Sequence, residues 1–336
     1  MKNLKPIVGI TMGDYNGIAP EVILKALAQL PLDSYRCLLI GAASVFQTVN
    51  EQLDHPVEFD TITTLSQLDA LQSPIVIYDI FPEFQEQPHW GHIEKAAGTA
   101  AGVSIQKAVE LALRDVTEAV VTGPVSKEAL SLAGYHYPGQ TEFLAELTGT
   151  DHVVMMLVTR DFRVALATTH CAIHEVSAKI TREQLQRSLR IVHNSLIQQF
   201  GISAPRIVVT SLNPHGGENG LFGREEIEII APAIIDLQKS GMTVEGPFPA
   251  DTLFARSDRY DAYFAMYHDQ GLIPFKMKAF GKGVNFTAGL PAIRTSPDHG
   301  TAFNIAGKNT ADEHSMMEAI TLAVELIQNR KKRPAL

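Results

Sequence analysis

Ile7-Val8-Gly9-Ile10-Thr11-Met12-Gly13-Asp14-Tyr15-Asn16-Gly17-Ile18-Ala19-Pro20 decides how the fold is read. Residues 7–11 form a β-branched run that predicts a strand, Gly13 to Gly17 mark a turn, and Pro20 suits the first position of a helix over 20–30. The same alternation recurs downstream, with strands expected over 36–40, 75–78 and 119–122 and a helix over 102–114. In that helix Ile105, Val109, Ala112 and Leu113 share one face. Apolar strands alternating with helices predict a mostly parallel sheet covered on both faces. Residues 153–158 and 164–168, joined by Thr159-Arg160-Asp161-Phe162, read as an antiparallel hairpin, which makes the sheet mixed. A helix opens at Thr181, with Gln184 at the capping-box spacing, and further helices are expected over 225–239 and 311–330. Strands are expected over 206–210 and 262–266. The sequence contains no internal repeat, low-complexity tract or tether-like linker.

Composition narrows the function classes. The chain has 336 residues, 28 Lys and Arg against 37 Asp and Glu, a net charge of −9 and 45% hydrophobic residues. That length suggests about two domains with a substantial core. The acidic balance argues against a nucleic-acid binder working through a basic face. No apolar run approaches the ~18 residues of a membrane span. Gly13 and Asp14 interrupt the N-terminal apolar stretch too early for a signal peptide. The only cysteines, Cys37 and Cys171, lie far apart, so a reducing cytoplasm is expected rather than a disulfide framework.

Three of the twelve histidines share a setting. His170, His215 and His268 each follow a predicted strand at its carboxyl end, where open α/β sheets place their sites. Three neutral imidazoles suit zinc or cobalt and leave coordination positions for a substrate, and Asp269 beside His268 can orient or join them. A strand-end histidine is ordinarily a hydrogen-bonded structural residue; three matching positions are what raise the metal reading above that alternative.

Other segments point to anions. Gly13-Asp14-Tyr15-Asn16-Gly17 lacks the Gly-x-Gly-x-x-Gly fingerprint, which disfavours an ordinary Rossmann site, and Asp14 is either a ligand contact or an Asx-turn. Pro138-Gly139-Gln140-Thr141-Glu142 opens a helix whose free N–H groups and Thr141 hydroxyl can seat an anion, or simply cap the helix. Lys276, Asn285 and Arg294 offer an ammonium, an amide and a guanidinium to a phosphate or carboxylate. The small-residue loop from Asp298 to Lys308 lets backbone approach a nucleotide closely, or serves as a tight connection.

Taken in order, several blocks resemble the 4-hydroxythreonine-4-phosphate dehydrogenase family, which includes phospho-sugar-acid dehydrogenases. They are Gly13-Asp14 to Pro20-Glu21, Thr122-Gly123-Pro124-Val125-Ser126-Lys127, Ala167-Thr168-Thr169-His170, Leu212-Asn213-Pro214-His215, Pro249-Ala250-Asp251-Thr252, Met266 through Gly271, and Arg294-Thr295-Ser296 through Gly300-Thr301-Ala302. Together they span nearly the whole chain. The resemblance implies NAD- or NADP-linked oxidation in pyridoxal 5′-phosphate biosynthesis. It implies one divalent ion per site (zinc, magnesium or cobalt) on His170, His215 and His268, and a homodimer whose sites draw histidines from both subunits. It matches substrate contacts to Gln140, Thr141, Lys276, Asn285 and Arg294. It implies the fold of isocitrate and isopropylmalate dehydrogenases: two α/β/α domains with a shared mixed, mostly parallel sheet and a cleft between domains. The domains are expected over 1–128 plus 305–336 and over 129–304, the second carrying the metal ligands and dimer interface. His299, Gly300, Thr301 and Ala302 look like an adenosine-binding loop, with Asn304 where an acidic residue would favour the ribose hydroxyls of NAD.

The chain departs from the family pattern twice. Gln140 stands where many members have histidine, and Tyr15-Asn16 replaces Pro-Ala in the first loop. The expected reaction is oxidation of the C3 hydroxyl of 4-phosphohydroxy-L-threonine to a 3-oxo acid that decarboxylates to 3-amino-2-oxopropyl phosphate, with Asp251, Asp269 or Lys127 as base. Oxidation of 4-phospho-D-threonate or 4-phospho-D-erythronate is the nearest alternative. A zinc-dependent phosphoester hydrolase and a non-catalytic binder of phosphorylated metabolites are the alternatives from other classes.

Overall fold

The computed structural model describes residues 5–84, 86–256 and 260–332. The described residues form two compact units: those within 1–149 together with 290–328, and those within 150–289 together with 329–332.

In the first unit the chain runs through β1 (Ile7–Thr11), α1 (Ala19–Gln29), β2 (Arg36–Gly41), α2 (Ala43–Asn50), β3 (Asp60–Ile62), β4 (Ile75–Asp79), α3 (Lys95–Leu113), β5 (Ala119–Thr122), α4 (Lys127–Leu132) and α5 (Gln140–Leu147). The second unit contributes β6 (Val154–Val158), β7 (Arg163–Leu166), α6 (Val176–Lys179), α7 (Arg182–Gln198), β8 (Arg206–Thr210), α8 (Ala231–Lys239), β9 (Thr243–Phe248), α9 (Ala250–Leu253), β10 (Ala262–Ala265), α10 (His268–Ala279) and β11 (Val284–Ala288). The chain then returns to the first unit with β12 (Ile293–Pro297) and α11 (His314–Lys331), which belongs to that unit as far as Gln328.

Strands of the first unit follow the order β3-β4-β2-β1-β5-β12, every pair parallel. Cys37 to Ile40 of β2 are buried throughout, as a strand covered on both faces requires. Leu38, Ile40, Val76 and Val120 pack with Ala108 and Leu111 of α3, and each such aliphatic side chain contributes about 2 kcal/mol on burial. The second unit has the order β11-β6-β7-β10-β8-β9; β6 pairs antiparallel with both neighbours and the remaining pairs are parallel. Its core gathers Leu157, Phe162, Val164, Leu166, Tyr263 and Phe275.

The hairpin β6–β7 and the Thr181 cap, whose hydroxyl accepts from the Gln184 N–H at 3.2 Å, stand as read from sequence. Elsewhere the structure differs. The helix expected over 225–239 is a π-helical turn at Glu226–Ile230 followed by α8. Helix α10 was not anticipated, because Gly271 and Pro274 interrupt its pattern. The units divide at 149/150 and 289/290 instead of 128/129 and 304/305. The physical reason is pairing: β12 lies parallel to β5, with Ile293 opposite Ala119, so the chain rejoins the first unit before residue 304. Phe143 of α5 packs on Tyr135 and Tyr137, which keeps α5 there too. Among the described residues no helix is long and apolar enough to cross a membrane.

Candidate active site

The metal candidates all belong to the second unit. Strand β7 ends at Leu166, earlier than the sequence suggested, so His170 lies on the bend beyond it. His268 is the first residue of α10. The His170 and His268 rings have centroids 6.3 Å apart, inclined at 40°. The Asp269 carboxylate meets His268 Nδ1 at 2.7 Å, which leaves Nε2 facing away from that bond. Such a carboxylate–imidazole pair fixes the orientation of the ring, the usual support for a metal ligand. The donor chemistry therefore fits a borderline cation about 2 Å from an imidazole nitrogen.

His215 sits on a turn whose backbone is left-handed from His215 (φ 54°) to Asn219 (φ 55°). Glu226 holds this turn. Its carboxylate accepts the Leu212 and Asn213 N–H groups, each at 2.8 Å, and the Asn213 side-chain amide at 3.0 Å. Among the described residues no three His, Cys, Asp or Glu side chains of one chain converge to hold a metal ion. The structure thus pairs two of the three predicted imidazoles and sets the third apart on its own anchored turn. Sequence reasoning missed Glu226, which is one of three glutamates between Arg224 and Ile229 with nothing local to set it apart. It also missed Gln270, which accepts from the Met266 N–H (2.7 Å) and Thr210 hydroxyl (2.6 Å) and donates to the Ser211 carbonyl (2.7 Å). Gln270 ties the ends of β8 and β10 to α10.

Asp251 and Asp269, two of the three candidate bases, line one surface cavity of about 360 Å³ with Phe254, Tyr267 and Gln270. Lys127 opens α4 in the first unit, behind the Ser126 cap.

The predicted substrate contacts divide by unit. Lys276 lies in the last turn of α10, and Asn285 is on β11 with its Oδ1 buried and lacking a hydrogen-bond partner. In the first unit Thr141 is buried in the first turn of α5. Arg294 is 2% exposed, and one of its Nη atoms donates to Thr122 Oγ1 at 2.6 Å and to Gln140 Oε1 at 3.1 Å. Burial pulls its pKa down to about 10, opposed by the negative field of Glu142.

The candidate cofactor residues are also in the first unit. His299 Nδ1 meets the Gly300 carbonyl at 3.1 Å, while its Nε2 is buried without a partner. The Thr301 carbonyl accepts from Ile18 N–H at 3.0 Å, and Gly17 packs so closely on Thr301 that a β-carbon would sit 2.8 Å from that oxygen. Ala302 is left-handed (φ 42°) and Asn304 is exposed, its carbonyl accepting from Lys308. An orphaned imidazole nitrogen, a glycine cradle and open space at Gly300 fit a bound nucleotide.

The first loop joins this segment. Asp14 is fully buried; its Oδ1 accepts from Asn16 N–H at 3.0 Å in an Asx-turn, while Oδ2 has no partner. Burial raises its pKa to about 6, with Glu94 adding to the rise. Tyr15 donates to Glu86 at 3.0 Å and Asn16 to Glu94 at 3.0 Å, so both departures from the family loop fasten residues 86–94. A raised carboxyl pKa makes ionisation cost stability as pH climbs from the ordinary value near 4 to about 6, with no further cost above. Relative to Asp14→Asn, the native chain is therefore expected to lose about 3 kcal/mol between pH 4 and 7. Urea denaturation of both proteins at several pH values measures this, and a pH-independent difference would refute it.

The family described as "Pyridoxal phosphate biosynthetic protein PdxA" matches residues 33–323. A 4-hydroxythreonine-4-phosphate dehydrogenase of Trichlorobacter lovleyi is 42% identical over 98% of this chain and 100% of its own length. A D-threonate 4-phosphate dehydrogenase of Cupriavidus necator is 44% identical over the same shares. The crystal structure of a 4-hydroxythreonine-4-phosphate dehydrogenase from Klebsiella pneumoniae superposes with a TM-score of 0.87 at 39% identity, covering 98% of this chain and 100% of that one. An isocitrate dehydrogenase from Methylococcus capsulatus, 12% identical with a TM-score of 0.50 over 97% of this chain and 87% of that one, shares the fold alone.

Proposed function

Because this chain belongs to the family of pyridoxal phosphate biosynthetic protein PdxA, we propose that it oxidises the C3 hydroxyl of 4-hydroxythreonine 4-phosphate. The product is a 3-oxo acid that loses CO₂ to give 3-amino-2-oxopropyl phosphate, and hydride passes from C3 to NAD⁺ or NADP⁺. The chain is an oxidoreductase acting on a CH–OH group, as its relatives are. The observation that carries the reading is the His170–His268 pair, 6.3 Å between ring centres and braced by Asp269.

His170 and His268 of one chain, with His215 of a second copy, would hold a divalent ion. When bound, that ion supplies Lewis acidity that eases loss of the hydroxyl proton and stabilises the charge formed as CO₂ leaves. Asp251 or Asp269, which share a cavity, accepts the hydroxyl proton, with Lys127 the remaining candidate. Arg294, Thr141, Lys276 and Asn285 bind the phosphate and carboxylate and orient C3, with Gln140 beside Arg294 at the same end of the site. His299 through Ala302 and Asn304 receive the nucleotide, which supplies the hydride acceptor. Support for a second copy comes from exposed apolar side chains on and just beyond α10: Ile273 and Met277 on the helix and Phe280 at its end are 60%, 70% and 85% exposed. The free thiols of Cys37 and Cys171 suit a cytoplasmic home.

A second reading, oxidation of D-threonate 4-phosphate, draws on Gln140 and the Tyr15-Asn16 loop, which change the site away from the family pattern. Incubation with a divalent ion, NAD⁺ or NADP⁺ and each substrate in turn tests both. Reduced nicotinamide formed faster with 4-hydroxythreonine 4-phosphate supports the first reading, and faster with D-threonate 4-phosphate the second. Phosphate release without nucleotide would instead indicate a hydrolase, and binding without turnover a non-catalytic protein.

A further inference from the structure

We infer that Gln140 is a positioning residue: a neutral strut that fixes the Arg294 guanidinium for the anionic end of the substrate without touching that anion itself. The inference rests on the reading that Arg294 meets a substrate anion. The strut is visible in two bonds. Gln140 Nε2 donates to the Gly123 carbonyl at 3.2 Å, and Gln140 Oε1 accepts from Arg294 Nη2 at 3.1 Å. A guanidinium only donates and a carbonyl only accepts, so a flipped amide would oppose like groups at both ends. The orientation is therefore forced by chemistry. Thr122 Oγ1 accepts from the same Arg294 nitrogen, and the buried arginine is held from two elements at once, β5 and α5. Gly139 is extended at the helix start, and Gln140 is the first residue of α5.

A neutral acceptor has a consequence that neither charge nor imidazole shares. A carboxylate at 140 would neutralise the arginine and compete with the incoming anion. A histidine would accept from Arg294 only while one ring nitrogen is bare, and would lose that ability below about pH 6.5. Glutamine keeps the full positive charge available and its direction constant across that range. Glu142 is the acidic group acting on Arg294 from α5, and Thr122 and Gly123 on the β5 side carry no charge.

The test compares Gln140→Met, Gln140→Glu and Gln140→His with the native chain, by steady-state kinetics and by calorimetric binding of inorganic phosphate. Gln140→Met, similar in length but without acceptor or donor, should raise KM about tenfold with kcat little changed. Gln140→Glu should weaken phosphate binding at least tenfold. Gln140→His, read as a ratio to the native protein at each pH, should bind phosphate nearly normally at pH 8 and progressively worse towards pH 5.5. An affinity ratio that improves as pH falls would show residue 140 contacting the anion directly and would overturn the strut, as would an unchanged KM in Gln140→Met. Thermal melting separates unfolding from these effects, and Gln140→Glu stands in if the Met variant does not fold. A native chain that neither binds phosphate nor reduces nicotinamide would instead sink the underlying reading of the site.

Discussion

His215→Ala and His268→Ala are each expected to lose at least about a thousandfold in turnover and to hold less metal, yet a refolded mixture of the two should recover about a quarter of native activity. His170 and His268 lie together within one chain, while His215 sits on a separate left-handed turn braced by Glu226. If the third ligand comes from a second copy, a mixed dimer has one site with all three imidazoles and one site lacking two. Random pairing makes half of the dimers mixed, so a quarter of all sites are intact. Activity no greater than that of the parents would rule out sites shared between copies. Full activity of either parent in chelated buffer would remove the metal altogether. Glu226→Gln extends the experiment, because it weakens the acceptor for Leu212 and Asn213 without altering a ligand, and should lower metal retention more than stability.

Arg294→Met should raise KM for the phosphorylated substrate about a hundredfold, equivalent to about 3 kcal/mol, while kcat changes by only a few-fold. A guanidinium lost from a binding site removes a charge-assisted bond that ground state and transition state share. The stability cost should be smaller than deletion of a buried charge usually brings. Burial already disfavours the Arg294 cation, and methionine relieves that penalty while filling much of the same volume. Glu142 is the acid whose field favours the Arg294 cation, so Arg294→Met combined with Glu142→Gln should melt close to the native chain and still show the raised KM. A double variant with native KM would show that Arg294 serves packing rather than substrate. Collapse of the double variant would show the same arginine to be chiefly structural.

Much of this was legible before any coordinates. The run from Ile7 to Pro20, the apolar strands at 36–41 and 119–122 and the hairpin at 154–166 carry their structure locally, because side-chain period and turn residues act over a few positions. His170, His215 and His268 were also legible as candidates, since each follows a run read as a strand, and Arg294 was legible through its guanidinium chemistry. Helix α10 was hidden because Gly271 and Pro274 are poor helix formers that only tertiary packing of Phe275 overrides. The unit boundaries depended on β12 pairing with β5, a contact between residues more than a hundred and seventy positions apart. Which imidazoles meet, that Glu226 holds the His215 turn, and that Gln140 turns its oxygen to Arg294 were settled by the fold alone. Hydrogen bonds form between groups brought within about 3 Å, and no local pattern in a linear chain encodes that distance.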